Sequence, residues 1–331
     1  MMLNILCIGV AMDKDKLAKV VEAARLYYQL DNSQQEIAKK LSVSRPTVSR
    51  LLKQAKAAGI VEITIHDPSQ DVNKLAFELA DTFDLLDARV AIVPQFDDSI
   101  VKKHIGKIAA EYLNSTIQDN DLIGVSWGTT LNEVGKNLRH KLLKNVSVVQ
   151  LNGGISYSET NTYAYEIIQM LGRAFHATSH FLPVPAIVDH LLVKQTLEED
   201  RHIRKVLDMG RNANVALFSV GIPTNDSVIV QAEYVSEQEL DTIHSKSVGE
   251  ICSRFFDEKG KLIHKDLNAR TIGIDLEELS RKEKSIMAAG GPKKIEAVYG
   301  ALQGGYANIL VTDQYTARAL LEKKKQESEI G

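Results

Sequence analysis

The apolar residues between positions 88 and 312 come in short runs: ARVAIV (88–93), DLIGVSW (121–127), VSVVQL (146–151), NVALFSV (214–220), TIGIDL (271–276), SIMAAG (285–290) and ANILVT (307–312). Several are continuous rather than alternating, as expected of strands covered on both faces of a parallel sheet. Segments with helical spacing separate most of them. The layout is therefore βαβ and the class α/β, with a mostly parallel sheet.

Before residue 88 the period changes. VNKLAFELADTFDLL (72–86) places Leu75, Leu79, Phe83 and Leu86 at helical spacing, and HDPSQD (66–71) ahead of it is a polar, proline-bearing exit. Further upstream, Ser33 followed by Glu36 is a capping box that starts a helix with Ile37, Ala38 and Leu41 inward. LSVS (41–44) is a tight turn, and Ser44 caps a second helix that has Arg45 and Pro46 in its first turn. Val48, Leu51, Leu52 and Ala55 share one face of it; Arg50 and Lys53 lie opposite, flanked by Thr47, Ser49 and Gln54. Helix, short turn and second helix with hydroxyl and arginine side chains outward is a helix-turn-helix, and the second helix suits a DNA major groove. Ser44, Arg45, Thr47, Ser49, Arg50 and Lys53 are the expected DNA contacts: Arg50 at a base edge, Arg45, Lys53 and Lys56 at phosphates. A solvated helical hairpin would more often carry acid–base pairs outside, but no acid falls between Glu36 and Glu62. AAGIVEITI (57–65) has the look of a β-wing.

Charge sharpens this division. Residues 12–62 hold ten Lys/Arg against six Asp/Glu, net +4, whereas the whole 331-residue chain is net −3. A small basic module on a larger acidic body fits a polyanion-binding head. The length suits about two domains, placed at 12–66 (DNA-binding), 67–87 (linker and helix) and 88–331 (ligand-binding). With 44% hydrophobic and 25% charged residues the chain is not of disordered type, and no apolar run is long enough to span a bilayer. The opening MMLNILCIGVAMD has no basic residue ahead of its apolar stretch, unlike a secretory signal, and Met12 is an alternative start. Two cysteines, Cys7 and Cys252, argue against a disulfide framework and for a cytoplasmic location.

In a parallel sheet ligands bind beyond the carboxyl ends of the strands. SWGTT (126–130) sets Gly128, Thr129 and Thr130 where a helix begins, a position suited to phosphate. NGG (152–154), VGIP (220–223) and AAGGPKK (288–294) are further strand ends, the last adding Lys293 and Lys294. Neither a dinucleotide fingerprint nor a P-loop is present, so no cofactor is expected. The nine histidines show no metal-ligand grouping, and no metal is expected.

The stretch 22–63, EAARLYYQLDNSQQEIAKKLSVSRPTVSRLLKQAKAAGIVEI, together with GVSWGTT, VVQLNGG, ICSRFFD, AAGG and DQYTARAL, resembles the SorC family of sugar-responsive bacterial transcriptional regulators, and within it most nearly the deoxyribonucleoside branch. The resemblance covers nearly all of 13–321. It implies a winged helix-turn-helix joined to a Rossmann-like, sugar-phosphate-isomerase-like effector domain, in a homo-oligomer, dimer or tetramer. The implied function is a repressor of a sugar or deoxyribonucleoside catabolic operon, with double-stranded operator DNA as partner and a phosphorylated sugar such as deoxyribose 5-phosphate as inducer. The effector residues it implies are Gly128, Thr129, Thr130, Asn152, Gly153, Gly154, Gly290, Gly291 and Lys294. Arg254 is added because its guanidinium fork suits oxyanions, the alternative being a surface ion pair with Asp257 or Glu258. Asn152 departs from the branch, where a lysine in this slot could form a Schiff base with an open-chain aldehyde; an amide cannot.

The competing class is a sugar-phosphate isomerase with an accessory DNA-binding domain, for which Asp189, Glu233 or Asp313 would have to act as base. A metabolic enzyme has little use for a helix-turn-helix, so no catalysis is expected. A phage-type DNA-binding protein with a purely structural body would not need the glycine-lined strand ends.

Overall fold

In the computed structural model, three helices build the N-terminal unit: α1 (Lys14–Tyr28), α2 (Gln34–Lys40) and α3 (Arg45–Ala57). The structure describes residues 14–61, 63, 71–154, 161–225, 227–231 and 235–330, divided into one unit up to Gln70 and a second from Asp71. Ser33 Oγ accepts the Glu36 amide (3.3 Å) while the Glu36 carboxylate accepts the Ser33 amide (2.8 Å), so both halves of the capping box form. The turn after α2 passes through Ser42 at φ +50°, and Ser44 Oγ then accepts the Thr47 amide. Val20, Ala23, Ala24 and Leu26 of α1 close over Ile37, Val48, Leu51, Leu52 and Ala55 to form a small apolar core. α3 ends at the Ala58 cap, and Gly59 follows at φ +64°. Of the expected β-wing (57–65), Glu62, Thr64 and Ile65 lie outside the described residues, while Ala57 ends α3 and Ile60, Val61 and Ile63 are not in a strand.

The second unit opens with α4 (Val72–Thr82) and is built on strands β1 (Asp87–Ala91), β2 (Leu122–Val125), β3 (Ser147–Gln150), β4 (Thr178–His180), β5 (Val215–Phe218), β8 (Lys284–Ala288) and β9 (Ile309–Asp313), with β6 (Gly249–Ile251) and β7 (Arg254–Phe256) outside the main sheet. The seven form one fully parallel sheet in the order β1-β9-β8-β5-β2-β3-β4. Helices α5 (Asp98–Thr116), α6 (Thr129–Asn137) and α7 (Ala164–Phe175) cover one face. α4, α14 (Ile295–Gln303) and α15 (Gln314–Ile330) cover the other. Between these lie α8 (Leu191–Glu199), α9 (Arg201–Asn212), α10 (Val228–Gln231), α11 (Glu237–Lys246), α12 (Lys265–Arg270) and α13 (Leu276–Leu279). Successive strand residues go to opposite faces: Leu217, Ile286 and Val311 join the first core, Ala216, Met287 and Leu310 the second. With both faces covered, most central positions are apolar, which is why these runs do not alternate.

Two expectations about elements need correction. Residues 271–276 are not a sheet strand. Thr271 and Gly273 make single bridges to Ile187 and Asn152, so this apolar segment pairs with the loops after β4 and β3 and with no strand of the sheet. Leu86 is 71% exposed, since α4 stops at Thr82 and the helical register that would turn Leu86 inward is lost. β6 and β7 form an antiparallel hairpin, turned by Cys252 and Ser253 at φ +51° and +67°.

Candidate functional site

On α3 the packing of Val48, Leu51, Leu52 and Ala55 decides what faces outward. Arg45, Arg50 and Lys53 are exposed, with Ser44 beside them and Thr47 and Ser49 half-buried at the flanks. No carboxylate among the described residues pairs with any of the three cations. Ser44 Oγ and Thr47 Oγ1 lie 2.9 Å apart, engaged in the cap. Lys56 sits over the Tyr28 ring, 5.8 Å from its centroid. The face is a row of unneutralised donors on a rigid rod, the arrangement that phosphates and guanine edges require.

In the second unit the chain runs from β2 outward to β3 and β4, then returns to β5 on the other side of β2. Such a reversal leaves a crevice at the strand ends, and a cavity of about 240 Å³ lies there. One wall is the end of β2: Trp127, Gly128, Thr129 and Thr130, where α6 begins with Gly128 at φ +131°. Opposite are Ser219, Val220, Gly221 and Ile222 after β5, followed by Thr224, Ser227 and Ile229; Asp98 and Lys102 of α5, Glu250 of β6, and Lys293 and Lys294 before α14 complete it. The first amides of α6 have no intrahelical acceptor, so this end of the cavity is positive. The Lys294 ammonium donates to the Val220 carbonyl at 2.7 Å and keeps two protons for other acceptors. Burial, followed by the charge of Lys102, pushes Lys294 down to about 8, while Glu250 and Asp98 hold it up. Burial also raises the Glu250 carboxyl, against the Ser253 amide that donates to its Oε2 at 2.8 Å. Asp98 Oδ1 and Ser219 Oγ are buried without a hydrogen-bond partner.

Of the ten effector residues expected, the cavity brings together Gly128, Thr129, Thr130 and Lys294. Asn152, Gly153 and Gly154 stand behind its wall. Trp127 Nε1 donates to the Gly153 carbonyl (2.8 Å), and buried Asn152 donates to Ser253 Oγ (3.3 Å). Gly290 and Gly291 are packing positions. A Cβ on Gly290 would meet Asp313 and Ile105, and the Gly291 amide is taken by Asp313 and Thr316.

Arg254 is the clear departure. Only 2% exposed, it donates from Nε to Ile274 O, from NH1 to both oxygens of Asn268, and from NH2 to Gly273 O and the Asp275 carboxylate. All five N–H groups are occupied, so it can serve neither an effector oxyanion nor an ion pair with Asp257 or Glu258. The sequence reading missed Asp98, Lys102, Ser219 and Glu250. Asp98 and Lys102 sit at the start of a helix whose preceding strand is across the sheet, and Glu250 sits in a three-residue strand; nothing local marks any of them. Of the acids a catalytic base would need, Asp313 is consumed as the α15 cap, accepting from Tyr315, Thr316 and Gly291, and Asp189 is exposed away from the cavity lining. Glu233 lies outside the described residues.

Comparison with known proteins agrees with this division. Residues 67–322 match the family model described as "Putative sugar-binding domain", and residues 11–70 a Crp-like helix-turn-helix domain. The chain is 46% identical over 310 residues to the deoxyribonucleoside regulator of Bacillus subtilis (strain 168), covering 94% of this chain and 99% of that one. It is 31% identical to the sorbitol operon regulator of Klebsiella pneumoniae, covering 94% and 99%. The crystal structure of the full-length sorbitol operon regulator SorC from Klebsiella pneumoniae superposes with a TM-score of 0.70 at 29% identity, over 93% of this chain and 99% of that one. These relatives are named as transcriptional regulators, not enzymes. With a helix-turn-helix ahead of a sugar-binding domain over its length, the chain belongs to the SorC family of transcriptional regulators.

Proposed function

We propose that this protein is a cytoplasmic repressor of a sugar or deoxyribonucleoside catabolic operon, released from its operator when a phosphorylated sugar enters the cavity between β2 and β5. The observation that carries the reading is the pairing of the α6 amino terminus with Lys102, Lys293 and Lys294 around that cavity. A dianionic phosphoryl group is the ligand that uses both. The deoxyribonucleoside-regulator relative makes deoxyribose 5-phosphate the first candidate. With an amide at position 152, the ligand is held by hydrogen bonds and charge and not covalently through that position. Ser44, Arg45, Thr47, Ser49, Arg50 and Lys53 are the proposed DNA contacts. A single helix-turn-helix module covers only about 600–1,000 Å² of interface, so tight operator binding calls for a dimer or tetramer of the chain, with half-sites separated by whole turns of DNA.

The test is an operator obtained by selection from random duplexes, titrated with the full-length protein in the presence of each common pentose and hexose phosphate. One of them should weaken binding by about 5–150-fold, the ordinary range of allosteric coupling. Operator affinity indifferent to every sugar phosphate would refute the reading.

A further inference from the structure

Among the described strands β1 pairs with β9 alone, so one of its edges has no neighbour. The Leu86 amide donates to the Asn308 carbonyl, just ahead of β9, at 2.7 Å. Backbone groups alternate in direction along a strand, so those of Ala88 and Val90 also turn to β9, while those of Asp87, Arg89 and Ala91 turn to the open edge. Open edges recruit further strands and are usually blocked or covered. This one is reachable: α4 and α5 stand apart over it and leave a cavity of about 860 Å³. Both faces of the edge carry side chains in want of a cover. On the α4 face, Leu86 and Phe77 are 71% and 72% exposed, and Val90 is half-buried. On the α5 face, Arg89 lies over the Tyr112 ring, 5.4 Å from its centroid, and donates from Nε and Nη2 to the same Asp87 oxygen at 3.2 and 2.8 Å.

Resting on the proposal that the chain works as a dimer or tetramer, we infer that the open edge of β1 is where two copies join, the two strands pairing antiparallel about a two-fold axis at Ala88. Charge chooses the register. An axis at Arg89 would set that residue against the partner's Arg89, and like charges directly opposite are destabilising. An axis at Ala88 sets Asp87 opposite the partner's Arg89 and Arg89 opposite the partner's Asp87 on the α5 face. The two residues of each such pair have their backbone groups on the open edge and exchange both bonds. On the α4 face the same register places Leu86 opposite the partner's Val90. The small Ala88 meets the partner's Ala88 at the axis, where facing side chains come closest. Leu86 is then covered, and Phe77, which lines the same cavity, extends the apolar strip. The edge is complementary to itself in charge and in size, which a two-fold joint requires and a site for an unrelated peptide does not.

The experiment follows assembly of the full-length protein by sedimentation on dilution. Arg89→Asp makes positions 87 and 89 both acidic, and Asp87→Arg makes both basic. Each variant alone should lose one step of assembly, tetramer to dimer or dimer to monomer, with a dissociation constant at least about tenfold above wild type. Mixed in equal amounts, the two variants present opposite charges at every cross-strand pair and should regain the wild-type assembly. Hydrogen exchange of the unsubstituted protein is the second measurement, and it decides the matter should a variant fail to fold. The Asp87 and Arg89 amides should be protected in the assembled protein and lose protection on dilution. Folded single variants that assemble like wild type, a mixture of folded variants that stays dissociated, or exchange at β1 that ignores concentration each overturn the β1 joint and leave the oligomer reading intact. A wild-type protein that is monomeric at every concentration overturns both.

Discussion

The α3 outer face and the β2–β5 cavity are both built to meet anions, yet they are made in opposite ways. On α3 the cations stand in solvent, and only the helix beneath them, fixed by Val48, Leu51, Leu52 and Ala55, is constrained. In the cavity the placed groups are set by neighbours, as when Lys294 bonds the distant Val220 carbonyl and the Glu250 backbone is bridged to Gly221. The contrast is sharpest between two arginines. Arg50 is exposed and has no acid partner among the described residues, whereas Arg254 is buried with all five donors engaged. Availability, not charge, separates a group that meets a ligand from one that holds the scaffold.

The largest effect that would break this contrast belongs to Arg254. Arg254→Ala leaves the carbonyls of Asn268, Gly273 and Ile274 and the Asp275 carboxylate without their donor, and should cost about 3–5 kcal/mol of stability in the second unit. Denaturant unfolding reads it directly; a variant that melts like wild type but loses effector binding would return Arg254 to the ligand. Next comes Lys294→Met, which removes one charge-assisted contact. Effector affinity should fall by about 1.5–3 kcal/mol, with operator binding in the absence of effector unchanged, as seen by calorimetry and gel shift. Arg50→Ala should do the reverse, weakening the operator complex by about 1–3 kcal/mol and leaving effector binding alone. Wild-type operator affinity in this variant would mean that α3 is docked on a different face.

The smallest effect is in pH. Lys294 titrates at about 8 and binds phosphate as the ammonium, so its contribution is present below that value and lost as pH rises through it. Sugar phosphates are already fully ionised above their second pKa of about 6. Effector affinity should therefore be level near pH 7 and then fall by up to about tenfold per pH unit above 8. Lys102, Asp98 and Glu250 face the same cavity, so the control is Lys294→Arg, whose guanidinium keeps its proton and should flatten the profile.

What could be read from the linear chain follows the same divide. The helix-turn-helix is legible because its determinants are local. Ser33 and Glu36 are three residues apart, Ser44 caps the helix it precedes, and the α3 core repeats every three to four residues. The buried strands are legible for an equally local reason, since each is a continuous apolar word. The cavity is only half legible. Gly128–Thr130, Ser219 and Lys294 lie beyond the ends of their strands, but Asp98 and Glu250 reach the same space from a helix and a hairpin elsewhere in the chain, and only the fold places them together. The misreading of 271–276 has the same origin. Ile272 and Ile274 are as buried and apolar as any strand residue, and whether such a segment joins the sheet or the loops beside it is decided by the whole fold. β4 was overlooked because Thr178–His180 is short and polar, as an edge strand tends to be.

The strand order has one more consequence. The α6 terminus sits at the end of β2 and Lys294 beyond the end of β8, with β5 alone between those strands. Hydrogen-bonded strands lie about 4.7–4.9 Å apart, so the span between the two anion-holding sides is measured off by the backbone ladder, as by the rungs of a ruler. Changes of side chain around the rim can alter which molecule is welcome without altering that gauge. A scaffold of this kind can be retuned from one metabolite to another while the reach across the binding space stays constant.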